Sequence, residues 1–343
     1  MKRLGAVALA GIVAWSASAR AECASDAHSS TCFDADNFWP HAGPAYFDWI
    51  GAPGTTPRGA FGLALFATYL SRPIVLVLPT SAPGGAETDA VGALADVTPL
   101  FSFGVSERLE LTAALPVTVY RSGYGISPVT SQRAEPLARG AMRDARFGAA
   151  YRLAGCRGAP GCTEPLGIAA RFELAVPTGD ESSFAGDATV VAAPDVSAEY
   201  RFAPFVAGTE LGARIRKTAD LAGSRVGSQL FFAAGLGADL LEGGKLGLAL
   251  EVMTLPTFAA QSDLAFDPTT GARVESGSRR PLVPTEWQLG VRSADVVADG
   301  VAVGLAAGSP LLVTGEAGVT SPRWRMTLSI RFTPGSRAEP PSP

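Results

Sequence analysis

The last regular stretch of the chain, Arg323–Phe332, reads Arg-Trp-Arg-Met-Thr-Leu-Ser-Ile-Arg-Phe. Trp324, Met326, Leu328, Ile330 and Phe332 alternate there with Arg323, Arg325, Thr327, Ser329 and Arg331. A period of two belongs to the β-strand, so this strand presents one apolar wall and one charged wall. In an exported chain that combination suits a transmembrane barrel, with lipid against the outer face and a polar lumen inside.

The N-terminus carries export signals. Met1-Lys2-Arg3 is a basic start, and Leu4–Trp15 is an apolar core too short to span a membrane as a helix. Ser16–Ala21 ends in Ala19-Arg20-Ala21, a small-x-small site, so residues 1–21 are expected to be a signal peptide cleaved before Glu22. Glu22, rather than a small residue, precedes Cys23, which argues against a lipoprotein. The chain is 47% hydrophobic and 17% charged, yet beyond the signal no apolar run reaches helical spanning length. A barrel carries the same apolar area in alternation. The net charge of −4 is mixed in sign, against the basic patch expected for nucleic-acid binding.

Alternation predicts strands near 59–70, 91–105, 107–121, 142–155, 166–177, 189–203, 205–216, 226–241, 244–258, 283–293, 300–308 and 323–332. Ser71–Thr88 reads either as an extension of the first strand or as a hairpin beyond the membrane. Connections alternate long and short: long at 71–90, 122–141, 178–188, 217–225, 259–282 and 309–322, short at Ser106, Pro204, 242–243 and 294–299, with 156–165 slightly longer. Outer-membrane barrels have short periplasmic turns and long external loops. The expected fold is therefore all-β: a transmembrane antiparallel up-and-down β-barrel of about twelve strands over 59–332, in a Gram-negative-type outer membrane, with both termini periplasmic. Residues 22–58 have no clean periodicity but hold Phe33, Phe38, Trp39, Tyr46, Phe47 and Trp49. This N-terminal segment reads as a periplasmic cap or plug, or as a loosely ordered leader. Residues 333–343 are a Pro/Ser-rich C-terminal tail.

Three stretches carry a family resemblance: Leu115-Pro116-Val117-Thr118-Val119-Tyr120-Arg121-Ser122-Gly123; Val176-Pro177-Thr178-Gly179-Asp180 with Phe184-Ala185-Gly186-Asp187; and Glu107-Arg108-Leu109-Glu110-Leu111. Together they resemble outer-membrane barrels of the phenol-degradation (MetA-pathway) transporter type and the N-terminal barrel of some OmpA-like proteins. The resemblance implies outer-membrane transport. No peptidoglycan-binding domain follows the barrel here, unlike the OmpA-like pattern.

Catalysis is not expected. The only histidines, His28 and His41, precede the barrel, and there is no Gly-x-Ser-x-Gly elbow. Gly235-x-Gly237 lacks the spacing and setting of a dinucleotide loop. Cys23 with Cys32, and Cys156 with Cys162, are close pairs in an exported chain and read as two local disulfides. Their spacing is not that of a metal site, and no metal or cofactor is expected. Asp180, Glu181 and Asp187 read as turn residues rather than a Ca²⁺ site.

Parity places Glu110, Asp144, Arg146, Arg152, Arg171, Glu173, Glu199, Arg201, Glu210, Arg214, Arg216, Asp239, Glu251, Glu286, Arg292, Arg325 and Arg331 towards the lumen. The inward glycines Gly208, Gly212, Gly235, Gly237 and Gly247 are expected to leave space among them. The expected function is passage of small polar or weakly anionic solutes, porin- or transporter-like. The alternative is a closed structural or surface-interaction barrel acting through its long loops. Expected partners are outer-membrane lipid, small solutes and the barrel assembly machinery, for which Phe332 closes the recognition strand.

Overall fold

The computed structural model describes residues 25–26, 29–78, 86–130, 135–155, 164–241, 245–266, 273–312 and 319–334. The expected signal peptide, Cys23, Cys156, Cys162 and most of the tail lie outside these residues.

Twelve strands form one antiparallel sheet that closes on itself. They are β1 (Phe61–Leu78), β2 (Ala86–Gly104), β3 (Leu109–Ala114 and Val117–Ser122), β4 (Ala141–Met142 and Ala145–Ala154), β5 (Leu166–Val176), β6 (Val191–Phe202), β7 (Phe205–Arg214), β8 (Gln229–Asp239), β9 (Leu246–Thr254), β10 (Thr285–Ala294), β11 (Val301–Pro310) and β12 (Trp324–Phe332). Each pairs with its chain neighbour. β12 returns to β1 with Thr327 opposite Thr68, which leaves no open edge in the ladder. Among the described residues no helix is long and apolar enough to cross a membrane.

The period-two pattern is realised literally. On β12, Trp324, Met326, Leu328, Ile330 and Phe332 are exposed, while Arg325, Thr327, Ser329 and Arg331 are at most 6% exposed. A soluble protein would invert this arrangement; in lipid it puts the apolar face in its preferred solvent. Aromatic rings collect at both rims. Phe61 packs on Phe103 at 4.7 Å and Phe202 on Phe205 at 5.6 Å beside the short turns, and Tyr69 stacks on Trp324 at 4.9 Å towards the long loops. These are the positions of interfacial girdles.

The first three strands depart from the expected bounds. The third is broken at Leu115-Pro116, because proline has no N–H for the ladder; its carbonyl instead accepts from Arg143 N at 3.1 Å. The first two strands run 18 and 19 residues and outreach their barrel neighbours. β1 meets β12 only up to Ser71, so Ile74–Leu78 and Ala86–Val91 continue as a hairpin above the rim. Both readings of Ser71–Thr88 are thus realised in part.

The N-terminal segment enters at the short-turn rim, beside β1, and runs through the lumen. At the far rim Ser29 pairs with Leu221 of a small hairpin, Ala219–Leu221 and Ser224–Val226. Phe33 joins an apolar cap there with Phe184, Ile126, Leu221 and Val226. The described N-terminal residues therefore lie at the long-loop end, opposite Phe332, and not at the same end as the sequence reading had it. Threading through the bore is the physical reason.

Leu328 sits mid-strand on the outer face at 43% exposure. Leu328→Arg is expected to destabilise the lipid-embedded barrel by about 2–4 kcal/mol. Urea unfolding in vesicles measures this; unchanged stability would take position 328 off the lipid face.

Candidate functional site

A segment with no ladder of its own must find partners for its main-chain groups elsewhere. In residues 31–56 the barrel wall supplies them, chiefly through charged side chains that parity had aimed inward. Glu251 accepts from Asp48 N (3.0 Å) and Trp49 N (2.8 Å), Glu210 from Gly51 N (2.7 Å) and Glu110 from Thr56 N (2.6 Å). Arg331 donates to the carbonyls of His41 (2.9 Å), Gly43 (3.3 Å) and Phe47 (3.2 Å). Arg171 donates to Ala52 O, Arg146 to Pro40 O (3.2 Å) and Arg214 to Asn37 O (2.8 Å). Charge-assisted bonds of this kind are stronger than neutral ones, and more so away from water.

The outer half of the segment adds its own charges. Asp34 Oδ2 accepts from Arg143 Nε (3.0 Å) and Nη2 (2.8 Å), and Asp36 Oδ1 accepts from Arg325 Nη1 (2.7 Å). Nearer the middle, His41 Nε2 lies 3.0 Å from Glu210 and Nδ1 3.8 Å from Glu173.

Aromatic rings complete the fit. The Trp39 ring lies under two guanidinium groups, Arg146 at 4.9 Å and Arg214 at 4.5 Å; Tyr46 lies against Arg292 at 4.4 Å. The wall glycines that the sequence reading took as free bore are notches for these rings. A Cβ on Gly237 would stand 2.2 Å from the Tyr46 ring, and one on Gly208 or Gly235 would stand 2.6 or 2.7 Å from the Phe47 ring. Gly212 faces Asp195 and Pro194 instead.

Most of the inward candidates converge on the segment, but several do not. Glu199 pairs with Arg201 (3.1 Å), which also lies 3.8 Å from Asp239. Asp144 accepts from the amides of Thr178, Gly179 and Asp187, anchoring the β5–β6 connection. Arg152 reaches Glu107 O at the short-turn rim. Asp187 pairs with Arg216 at 3.3 Å, and Asp180 accepts from Ser182 N, as turn residues do. Glu286 grips Arg325 (2.9 Å). Among the described residues no cluster of three potential metal ligands occurs.

Sequence reasoning missed Arg143, Asp96 and Arg121. Arg143 and Asp144 are both buried at the bulge between the halves of β4, where parity slips. Asp96 shares its face with Thr98 and Ser102, all buried, so its signal was present in the alternation. Asp34, Asp36 and His41 belong to a segment without periodicity, which gave no signal.

No family profile and no curated protein matches the chain. Among solved structures it is similar to an outer membrane channel from Pseudomonas putida F1: TM-score 0.55, 12% identity, 82% of this chain and 98% of that one. Weaker likenesses include the toluene transporter of Ralstonia pickettii (TM-score 0.39, 9% identity, 80% and 90% covered). Another is the outer membrane phospholipase A of Escherichia coli (TM-score 0.34, 9% identity, 88% and 97% covered). The fold is that of the outer-membrane β-barrels.

Proposed function

We propose that the protein is an outer-membrane barrel that passes small polar or weakly anionic solutes, and that residues 29–58 are its gate. The observation carrying this reading is how the lumen is filled. Besides pairing with one another, the wall charges bond the main chain of a segment joined covalently to the wall at one end. Such a filling is able to leave without breaking any rung of the barrel ladder. The long connections face outward in this reading, as in other outer-membrane barrels. Cys32 is buried and without a free thiol, which supports the reading of Cys23 with Cys32, and by the same spacing of Cys156 with Cys162, as local disulfides. Phe332 serves as the closing aromatic of the strand read by the assembly machinery.

A second reading, a permanently closed barrel working through its loops, draws on the density of the packing. Phe47, Ile50 and Phe38 form one buried core with Phe66, Met253 and Leu255 of the wall and its connections. Residues so buried are costly to withdraw.

Planar-bilayer recording separates the two. The full mature chain is expected to give small, infrequent steps, and the same chain lacking residues 29–58 larger and steadier ones. Heat-modifiable migration checks that the shortened barrel is folded. A folded barrel silent in both forms would favour the closed reading.

A further inference from the structure

Arg143 and Arg325 are among the most deeply buried cations of the lumen, at 3% and 1% exposure. Each guanidinium is held from one side by the wall. Asp96 Oδ2 accepts from Arg143 Nη1 at 2.8 Å, and Glu286 accepts from Arg325 Nε at 2.9 Å and Nη2 at 3.3 Å. The other side of each is completed by the segment. Asp34 takes Nε and Nη2 of Arg143, and Asp36 bridges the two cations, 2.7 Å from Arg325 Nη1 and 3.5 Å from Arg143 Nη1.

The surroundings make the segment's two carboxylates necessary. Arg214 and Arg121, also buried, are bonded to carbonyls, of Asn37 for the first and of Ala138 and Ser183 for the second, with no carboxylate in ion-pair range among the described residues. Without the segment, Arg143 and Arg325 each keep a single wall carboxylate, Asp96 and Glu286. When the segment withdraws, the donors left by Asp34 and Asp36 face the bore. Buried guanidinium donors without acceptors are costly, and their planar fork fits carboxylate oxygens.

We infer that Arg143 and Arg325 form a carboxylate-binding site of the open lumen, occupied in the shut form by Asp34 and Asp36 as tethered surrogates for a short dicarboxylate. This rests on the gating read from residues 29–58 and names the solute class that the gate yields to. Asp34 and Asp36 are two residues apart and both reach Arg143, so their carboxyl groups lie at the separation of a molecule with only a few carbons between its acids. A free dicarboxylate competes with a tethered pair whose effective concentration is about millimolar, so the solute opens the gate only when abundant. A neutral or cationic solute offers these donors no countercharge.

Succinate is the probe. In calorimetry on the purified mature chain, the double variant Asp34→Asn/Asp36→Asn is expected to bind succinate at least tenfold more tightly than the wild type, and adding Arg325→Ala is expected to abolish that binding. On the wild type, 100 mM succinate is expected to accelerate hydrogen exchange in residues 31–41, relative to chloride at equal ionic strength. That second measurement stands if the variants fail to assemble. The inference is overturned if succinate neither binds the double variant nor accelerates exchange in the wild type, or if phosphate or chloride acts equally well. Neither readout needs ion flux. A succinate response without conductance would count against the conduit alone, and conductance without a succinate response would count against this site alone.

Discussion

The structure depends on satisfying the main chain of an irregular segment inside a closed barrel. Residues 31–56 make no ladder, and nearly all of them are buried. An unpaired N–H or carbonyl in such a place costs on the order of 1–3 kcal/mol. Glu110, Glu210 and Glu251 take the amides, and Arg146, Arg171, Arg214 and Arg331 take the carbonyls. Anionic acceptors meet N–H groups and cationic donors meet C=O groups, so one set of wall charges serves as partner to a backbone with no periodicity of its own.

That solution shapes what the wall needs to be. Charges able to hold a segment are buried charges, and removing one partner of a buried pair typically costs about 3–5 kcal/mol. The wall therefore couples them: Arg146 to Glu173, Arg171 to Asp195, Arg325 to Glu286. Between these anchors the wall thins to glycine where Tyr46 and Phe47 approach, since any side chain there would strike a ring. Charge and notch together define one path for the segment from rim to rim.

The same arrangement supplies a physical basis for motion. The barrel ladder is continuous and closed, while the segment joins it covalently at one end. Its backbone is held along its length, from Asn37 O to Thr56 N, and Asp34, Asp36 and His41 add side-chain contacts with wall charges to its outer half. Specific chemistry acting on the outer half is thus the natural way to loosen the whole.

The sequence by itself determined the wall. Strict alternation in strands such as Arg323–Phe332 places one face in lipid and one in the lumen, because the pleat permits no other period, and the long–short rhythm of connections sets the strand count and the two rims. Glu110, Arg171, Glu210, Glu251, Arg325 and Arg331, which parity aims inward, are buried in the structure. Only the tertiary structure decided what those residues touch. Arg325 with Glu286 was within reach of sequence reasoning, since both are inward charges of opposite sign; Arg143 was not, because a bulge moves it off parity. The course of residues 29–58 was invisible for a deeper reason. A segment held by its main chain leaves no pattern in its side chains, and its partners lie on strands 54 to 290 residues away, so its place exists only once the barrel has closed around it.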